Sequence, residues 1–457
     1  MARQLYARRA LWVTDGDRGP SMGFAAKVAD WRPETADAAL YALSAVFAGL
    51  TIALSTIALY RQWADIAIGP YAAAAAASLL IARRRRKSRL RGARALVFGA
   101  VLLGATLVPL SLEVVWHAES HSSLYVQPEV SVVQQAAYRA TRGEDPYQLV
   151  VGRHDRVLLN TPGLPTYENF FPYLPLMIVF GLPSTTKEPL QLSDARIFFS
   201  LVTLLVAGGA LAMSKASKES RVRSLQVLAV LPTAALPLAT GGDDMPIVAL
   251  LLLGLVLAQH RKPGWAGLVL GTVCAMKLTA WPLAILALFA ARAKDGTRAP
   301  GRMAAGMIVI GGAVVIPFVL RGPHAFFENL ILFPLGLSGV PTPAASPLPG
   351  HILVTWFPFL HRILPVSAAV IGAAVLAAYL WRRRPTTASE VATLAGWVML
   401  AAILVAPGVR FGYLLYPVNF FVWGWMLRED RDRQTAVDPQ HRVPGEHGLQ
   451  ASPATAG

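Results

Sequence analysis

The chain has 457 residues, 54% of them hydrophobic and 15% charged, where a soluble protein carries about 25% charged residues. Its net charge is +16, but the basic residues sit in short clusters between apolar runs: 83–94, 215–223, 261–262, 292–302 and 382–384. That pattern marks the cytoplasmic loops of a multi-pass membrane protein. It excludes a soluble multidomain enzyme. With no stacking aromatics among the arginines, it also argues against a nucleic-acid partner. The single cysteine, Cys274, permits neither an intrachain disulfide nor a thiolate metal site.

The sequence predicts an all-α polytopic integral membrane protein. Residues 1–35 read as a cytoplasmic N-terminal segment and 36–94 as a transmembrane hairpin with a basic cytoplasmic loop. Its first span ends at Tyr60, and Arg61–Gln62–Trp63 form its outer turn. The run Arg83–Lys87 fixes the cytoplasmic side. Leu96–Trp116 crosses outward into a first long outer loop, 117–194. Within that loop Pro128 opens and Gly143 closes a helix whose apolar face, Val130, Val133, Ala137 and Ala140, suits the membrane surface.

Phe170–Pro183 is apolar, too short for the ~20 residues of a span, and punctuated by Pro172, Pro175 and Pro183. It reads as an interfacial or re-entrant piece, because a crossing would put Lys215–Arg223 outside. Spans at Ala195–Met213, Leu225–Thr240 and Met245–Gln259 follow, with Gly241–Gly242–Asp243–Asp244 as an outer turn. Ala266–Ala290 has basic residues at both ends and Lys277 at its centre, which predicts two short helices broken at Lys277. Met303–Leu320 leads to a second outer loop, 321–363. Leu364–Trp381, Val391–Ala406 and Phe411–Leu427 complete about twelve crossings, with both termini cytoplasmic. The polar tail 428–457 has little to bury and reads as disordered.

Several residues could carry chemistry. Glu129, in the first turn of its helix, is a carboxylate at the interface suited to general-base work; it is also a simple first-turn acid favoured by the helix dipole. Asp243 and Asp244 are either a functional acidic pair at membrane depth or a solvated turn. Lys277 and Arg410 suit a lipid-phosphate head group, with snorkelling to the interface as the ordinary alternative. His117–Ala118–Glu119–Ser120–His121 is a weak metal pattern, so no cofactor is assigned and a divalent metal is not supported.

The order and spacing of these features resemble the GT-C superfamily of membrane glycosyltransferases, most closely glycosyltransferase family 87. The resemblance rests on the first-loop acid, Ala136–Ala137, Gly143–Glu144–Asp145–Pro146–Tyr147, Tyr173–Leu174–Pro175–Leu176, Asp194–Ala195–Arg196, the acidic turn, and Lys277 after Gly271. It covers 96–427 and implies a GT-C-like domain over 95–427; the N-terminal hairpin lies outside it. By the resemblance, Glu129, Asp243 and Asp244 are catalytic, and Arg410 with Lys277 contacts donor phosphate. Tyr147, Tyr173 and Arg196 belong to the acceptor and donor loop. The implied activity is inverting transfer of mannose, or a related pentose or hexose, from a polyprenyl-phosphate sugar. The acceptor is a cell-envelope glycolipid or polysaccharide at the outer face of the plasma membrane. The alternative class is a transporter or flippase, or a non-catalytic binding subunit, for lipid-linked sugars; neither needs a carboxylate poised at Glu129.

Overall fold

A computed structural model of the chain describes residues 32–84, 90–148, 150–151, 157–158, 166–186, 188–294, 298–338, 340 and 344–437. The expected N-terminal segment up to residue 31 and the tail beyond 437 lie outside these.

Helices α1 (Pro33–Leu54) and α2 (Ala58–Arg83) form the N-terminal hairpin. Pro33 opens α1 where a missing N–H costs nothing, and the chain reverses at Ser55–Ile57, where Ile57 N donates to Ser55 Oγ at 3.2 Å. The expected turn at Arg61–Gln62–Trp63 therefore lies inside α2, and Tyr60 belongs to the second helix. Trp63 explains the shift: it is fully buried and donates from Nε1 to the Ala105 carbonyl at 2.9 Å. Ala105 lies in a π-turn, Leu102–Leu107, within α3 (Gly92–Ser120), where the ordinary helical ladder is interrupted.

In the first loop, α4 (Pro128–Thr141) follows the predicted helix, with Gly143 at φ +77° just beyond it. Its apolar face is not on the membrane surface. Val130, Val133 and Ala137 are fully buried against a 3₁₀ segment, Pro175–Thr185. There Gly181 lies so close to the Val133 carbonyl and to Ala137 that a side chain would collide with both. The proline-punctuated segment thus packs one face closely against α4.

The remaining helices are α5 (Ala195–Met213), α6 (Lys218–Ala229), α7 (Pro232–Thr240), α8 (Asp244–Gln259), α9 (Pro263–Cys274), α10 (Trp281–Lys294), α11 (Arg298–Arg321), α12 (Pro349–Trp356), α13 (Leu360–Arg382), α14 (Ala388–Val405) and α15 (Leu415–Val437). Among the described residues, seven helices are long and apolar enough to cross a membrane, and the bent pair α6–α7, kinked by 42°, makes an eighth. The count of about twelve includes α8, α9 and α10, which are apolar but shorter. Helices α9 and α11 cross closely because Gly267 and Gly271 face the backbone of Met303 and Met307, the small-residue contact typical of membrane helix pairs.

One core joins α4, α5, α8, α9, α10, α14 and α15; a second joins the hairpin to α3, α6 and α7. At the basic end, Arg94 Nε meets Asp37 Oδ2 at 2.6 Å and Arg223 meets Asp37 Oδ1 at 2.5 Å. The expectation of a disordered tail from 428 is corrected as far as 437. Helix α15 runs on because Asp430, fully buried, accepts from Ser214 Oγ at 3.0 Å and Gln434 Nε2 at 2.6 Å, and from the Lys215 amide.

Candidate active site

The acidic turn is built by helix termination. Gly241 adopts φ +109° after Thr240, so α7 stops there, and the Gly241 and Gly242 amides both donate to Pro237 O at 3.0 and 2.6 Å. Only glycine takes this conformation without strain, and a Cβ at 241 would also meet Arg196 Cγ at 2.8 Å and overlap Val130. Asp243 precedes α8 but does not cap it. Its carboxylate turns to Lys277, whose ammonium lies 3.0 Å from Oδ1 and 2.9 Å from Oδ2; Asp244 Oδ1 is 2.6 Å from the same ammonium. Lys277 has three protons to give, and the two carboxylates offer three acceptors.

Lys277 stands at the predicted break. After α9 the chain is extended at Lys277, then forms a 3₁₀ turn, Leu278–Ala280, before α10. The carbonyls freed by the break are taken up: Leu174 N donates to Met276 O and Leu176 N to Ala275 O, each at 2.9 Å. This two-bond ladder carries Tyr173 with it, and its ring centroid lies 5.2 Å from the Lys277 ammonium, within cation–π range. The same Asp244 Oδ1 accepts from the Tyr416 hydroxyl at 2.5 Å, and Thr279 Oγ1 lies 2.7 Å from that hydroxyl.

Glu129 and Arg410 form the second half. Arg410 sits in an extended stretch pinned by a parallel bridge between Ala345 and Val409 and by Ser346 N donating to Val409 O at 2.9 Å. Its guanidinium pairs with Glu129 Oε1, and that neighbouring carboxylate holds it further into its charged form. Glu129 Oε2 is buried and has no hydrogen-bond partner among the described residues. The two halves share one electrostatic environment: Asp243 feels Glu129 as well as Lys277, and Tyr413 feels both Lys277 and Arg410. Gln127 ties them mechanically, its amide N and Nε2 donating to Thr240 O at 3.1 Å and Thr240 Oγ1 at 2.6 Å.

The five residues singled out for catalysis and phosphate contact thus form two contacting groups within one electrostatic environment, with Lys277 already engaged by the acid pair. The other three brace them. Tyr147 is fully buried, its hydroxyl donating to Tyr173 O at 2.8 Å. Arg196, also fully buried, bonds Asp194 Oδ2 at 2.7 Å and Tyr125 O at 2.6 Å beneath Gly241. His117 Nδ1 lies 3.2 Å from Asp194 Oδ2. Among the described residues no cluster of three or more His, Cys, Asp or Glu side chains has metal-binding geometry.

Sequence reasoning missed Glu168 and Tyr60. Glu168 is buried and pairs with no cation among the described residues; burial, and then the Glu129 charge, push its carboxyl up to about 7. Its signal was available: an acid beside an apolar, proline-rich segment. Tyr60 gave none, because its hydroxyl, which accepts from Gln127 Nε2 at 3.3 Å, reaches the first loop only through the packing of α2.

A model of glycosyltransferase family 87 matches residues 171–407. The matched segment holds Glu168's neighbours Phe171 and Tyr173 as well as Arg196, the acid pair and Lys277, while Glu129 and Tyr147 precede it and Arg410 follows it. No curated protein and no solved structure matches the chain. Since the match spans more than half of the 457 residues, the chain belongs to glycosyltransferase family 87 and is a membrane glycosyltransferase.

Proposed function

We propose that this transferase moves mannose, or a related pentose or hexose, from a polyprenyl-phosphate donor to a cell-envelope glycolipid or polysaccharide. The observation that carries the reading is Glu129: one carboxylate oxygen is held by Arg410, and the other is buried with no hydrogen-bond partner among the described residues. An acceptor hydroxyl would supply that missing hydrogen bond. Glu129 Oε2 takes its proton as the hydroxyl oxygen bonds to the anomeric carbon, and the bond from that carbon to phosphate oxygen breaks. Single displacement inverts the anomeric configuration. Negative charge grows on the departing polyprenyl phosphate, and the Arg410 N–H groups not used by Glu129 stabilise it. Asp243 and Asp244, fixed by Lys277, hold hydroxyls of the donor sugar in place. Lys277 then serves the phosphate through its field rather than through a free proton.

An extracytoplasmic site is supported by helix α2. Tyr60 in its first turn is beside Gln127, whereas Ala82 in its last turn accepts from Arg32 at 3.4 Å at the basic end. A helix of 26 residues spans about 39 Å, enough to separate the site from the basic clusters by a bilayer. We place the protein in the plasma membrane, and the basic clusters put both termini on the cytoplasmic side by the positive-inside rule.

The test is transfer in lipid vesicles from radiolabelled polyprenyl-phosphate mannose to a glycolipid acceptor, with wild type and Glu129→Gln side by side. The expected result is label transfer with inverted configuration, reduced on the order of 10²- to 10⁴-fold in the variant. Full activity in Glu129→Gln would remove Glu129 as the base. Donor binding without turnover in wild type would point to a binding or transport role instead.

A further inference from the structure

We infer that the N-terminal hairpin, which lies wholly before the family-matched segment, contributes a substrate-contacting residue, Tyr60, to the active site. This rests on the transferase reading above. Tyr60 is half-buried in the first turn of α2. Its hydroxyl oxygen accepts from Gln127 Nε2, and no acceptor for its own proton stands among the described residues. The phenol lies within the fields of both Glu129 and Arg410, the two groups placed around the reacting atoms. A phenolic O–H held by Gln127, two residues before Glu129, and with its proton uncommitted among the described residues can donate to an oxygen of the substrate. That oxygen is a sugar hydroxyl or a phosphate oxygen.

The hairpin is held too firmly to be a peripheral addition. Trp63 donates to Ala105 O at 2.9 Å, Tyr71 to Val230 O at 2.5 Å, and Asp37 is gripped by Arg94 and Arg223. The first two contacts fix α2 on either side of its middle and the third fixes α1 beside it, so the position of Tyr60 is set before any substrate arrives. Such pre-organisation is what a substrate-positioning group requires. The same contacts supply an internal control. Tyr71 lies on the same helix and also uses its hydroxyl, but on a backbone carbonyl of the second core, away from Glu129.

The experiment compares Tyr60→Phe with Tyr71→Phe in the full-length protein in lipid. For each, KM for donor and for acceptor are measured by label transfer, affinities by equilibrium binding of polyprenyl-phosphate mannose and of the acceptor glycolipid, and the thermal midpoint at one scan rate. Tyr60→Phe is expected to raise KM and Kd for one substrate by about 5- to 20-fold, the loss of one hydrogen bond to a polar ligand, with its midpoint close to wild type. An effect on donor assigns the contact to the glycosyl phosphate; an effect on acceptor assigns it to the acceptor sugar. Tyr71→Phe should lower the midpoint and leave both affinities unchanged. Donor and acceptor affinities of Tyr60→Phe within twofold of wild type would overturn the inference, whether or not transfer occurs. A wild type that binds both substrates but transfers nothing would instead refute the transferase assignment while leaving the Tyr60 contact readable in the binding data.

Discussion

Replacing Lys277 with Met removes the cation from a pair of carboxylates that are 2% and 7% exposed. The ammonium bonds Asp243 through both oxygens and Asp244 through one, at 2.6–3.0 Å. Deleting one partner of a buried ion pair costs about 3–5 kcal/mol, because the charge left behind has no compensation. The total stability of a domain is only about 5–15 kcal/mol, so the variant should sit near the edge of folding. Unfolding free energy in mixed micelles is the assay, run on Lys277→Met, on Asp243→Asn and on the double variant. The double variant has lost one of the two orphaned charges, and Asp244 keeps its bond from Tyr416. It should therefore be more stable than Lys277→Met by at least about 1.5 kcal/mol, the size of coupling found between contacting residues. Neither variant should transfer sugar. A Lys277→Met protein within about 0.5 kcal/mol of wild type, or no rescue by Asp243→Asn, would show that the three side chains are not a buried, mutually compensating unit.

Arg410→Ala should lower kcat on the order of 10²-fold, and Arg410→Lys should recover little of it, since a lysine loses the planar fork that grips carboxylate and phosphate together; steady-state rates at saturating donor decide this, and a fully active lysine variant would argue against bidentate contact. Gly241→Ala forces a φ of +109° on a residue with a Cβ and drives that atom into Arg196 and Val130; it should cost about 1–3 kcal/mol, read as a lowered unfolding midpoint together with reduced transfer. Glu168 makes a pH prediction. Its carboxyl stands at about 7 in the folded chain against an ordinary 4.5, so the folded state keeps a proton that the unfolded state loses across that window. Stability then falls as pH rises from 4.5 to 7. The displacement is worth roughly 3 kcal/mol at full strength, and on the order of 1–2 kcal/mol after solvent screening in the loop. Glu168→Gln should abolish that decline between pH 5 and pH 8, and an unchanged slope would show that Glu168 does not carry it.

Much of the molecule was legible because membranes impose local rules. That Phe170–Pro183 is no ordinary spanning helix followed from its length and its prolines, and the chain forms the 3₁₀ segment Pro175–Thr185 there. The break at Lys277 followed from a charge in the middle of an apolar run that was too short for two spans, and α9 and α10 do end and begin around it. Where the reading failed, a distant partner was responsible. The hairpin turn moved from Arg61–Trp63 to Ser55–Ile57 because Trp63 has a hydrogen-bond acceptor 42 residues away. The apolar face of α4 found Gly181 rather than lipid, and α15 outran its apolar stretch because Asp430 had partners 215 and 216 residues back.

By itself, then, the sequence determined the membrane class, the broken helix and the set of charged residues worth watching. Each of these depends on the composition of one short window, and hydration of charge and backbone sets the same cost wherever that window sits in the chain. Only the tertiary structure decided which charges meet. Glu129 and Arg410 are 281 residues apart and Lys277 and Asp243 are 34 apart, yet packing brings both pairs into one electrostatic environment, leaves Glu129 Oε2 with no hydrogen-bond partner among the described residues and sets Tyr60 and Glu168 within its field. Electrostatic pairing depends on distance in space, and no local pattern of residues encodes that.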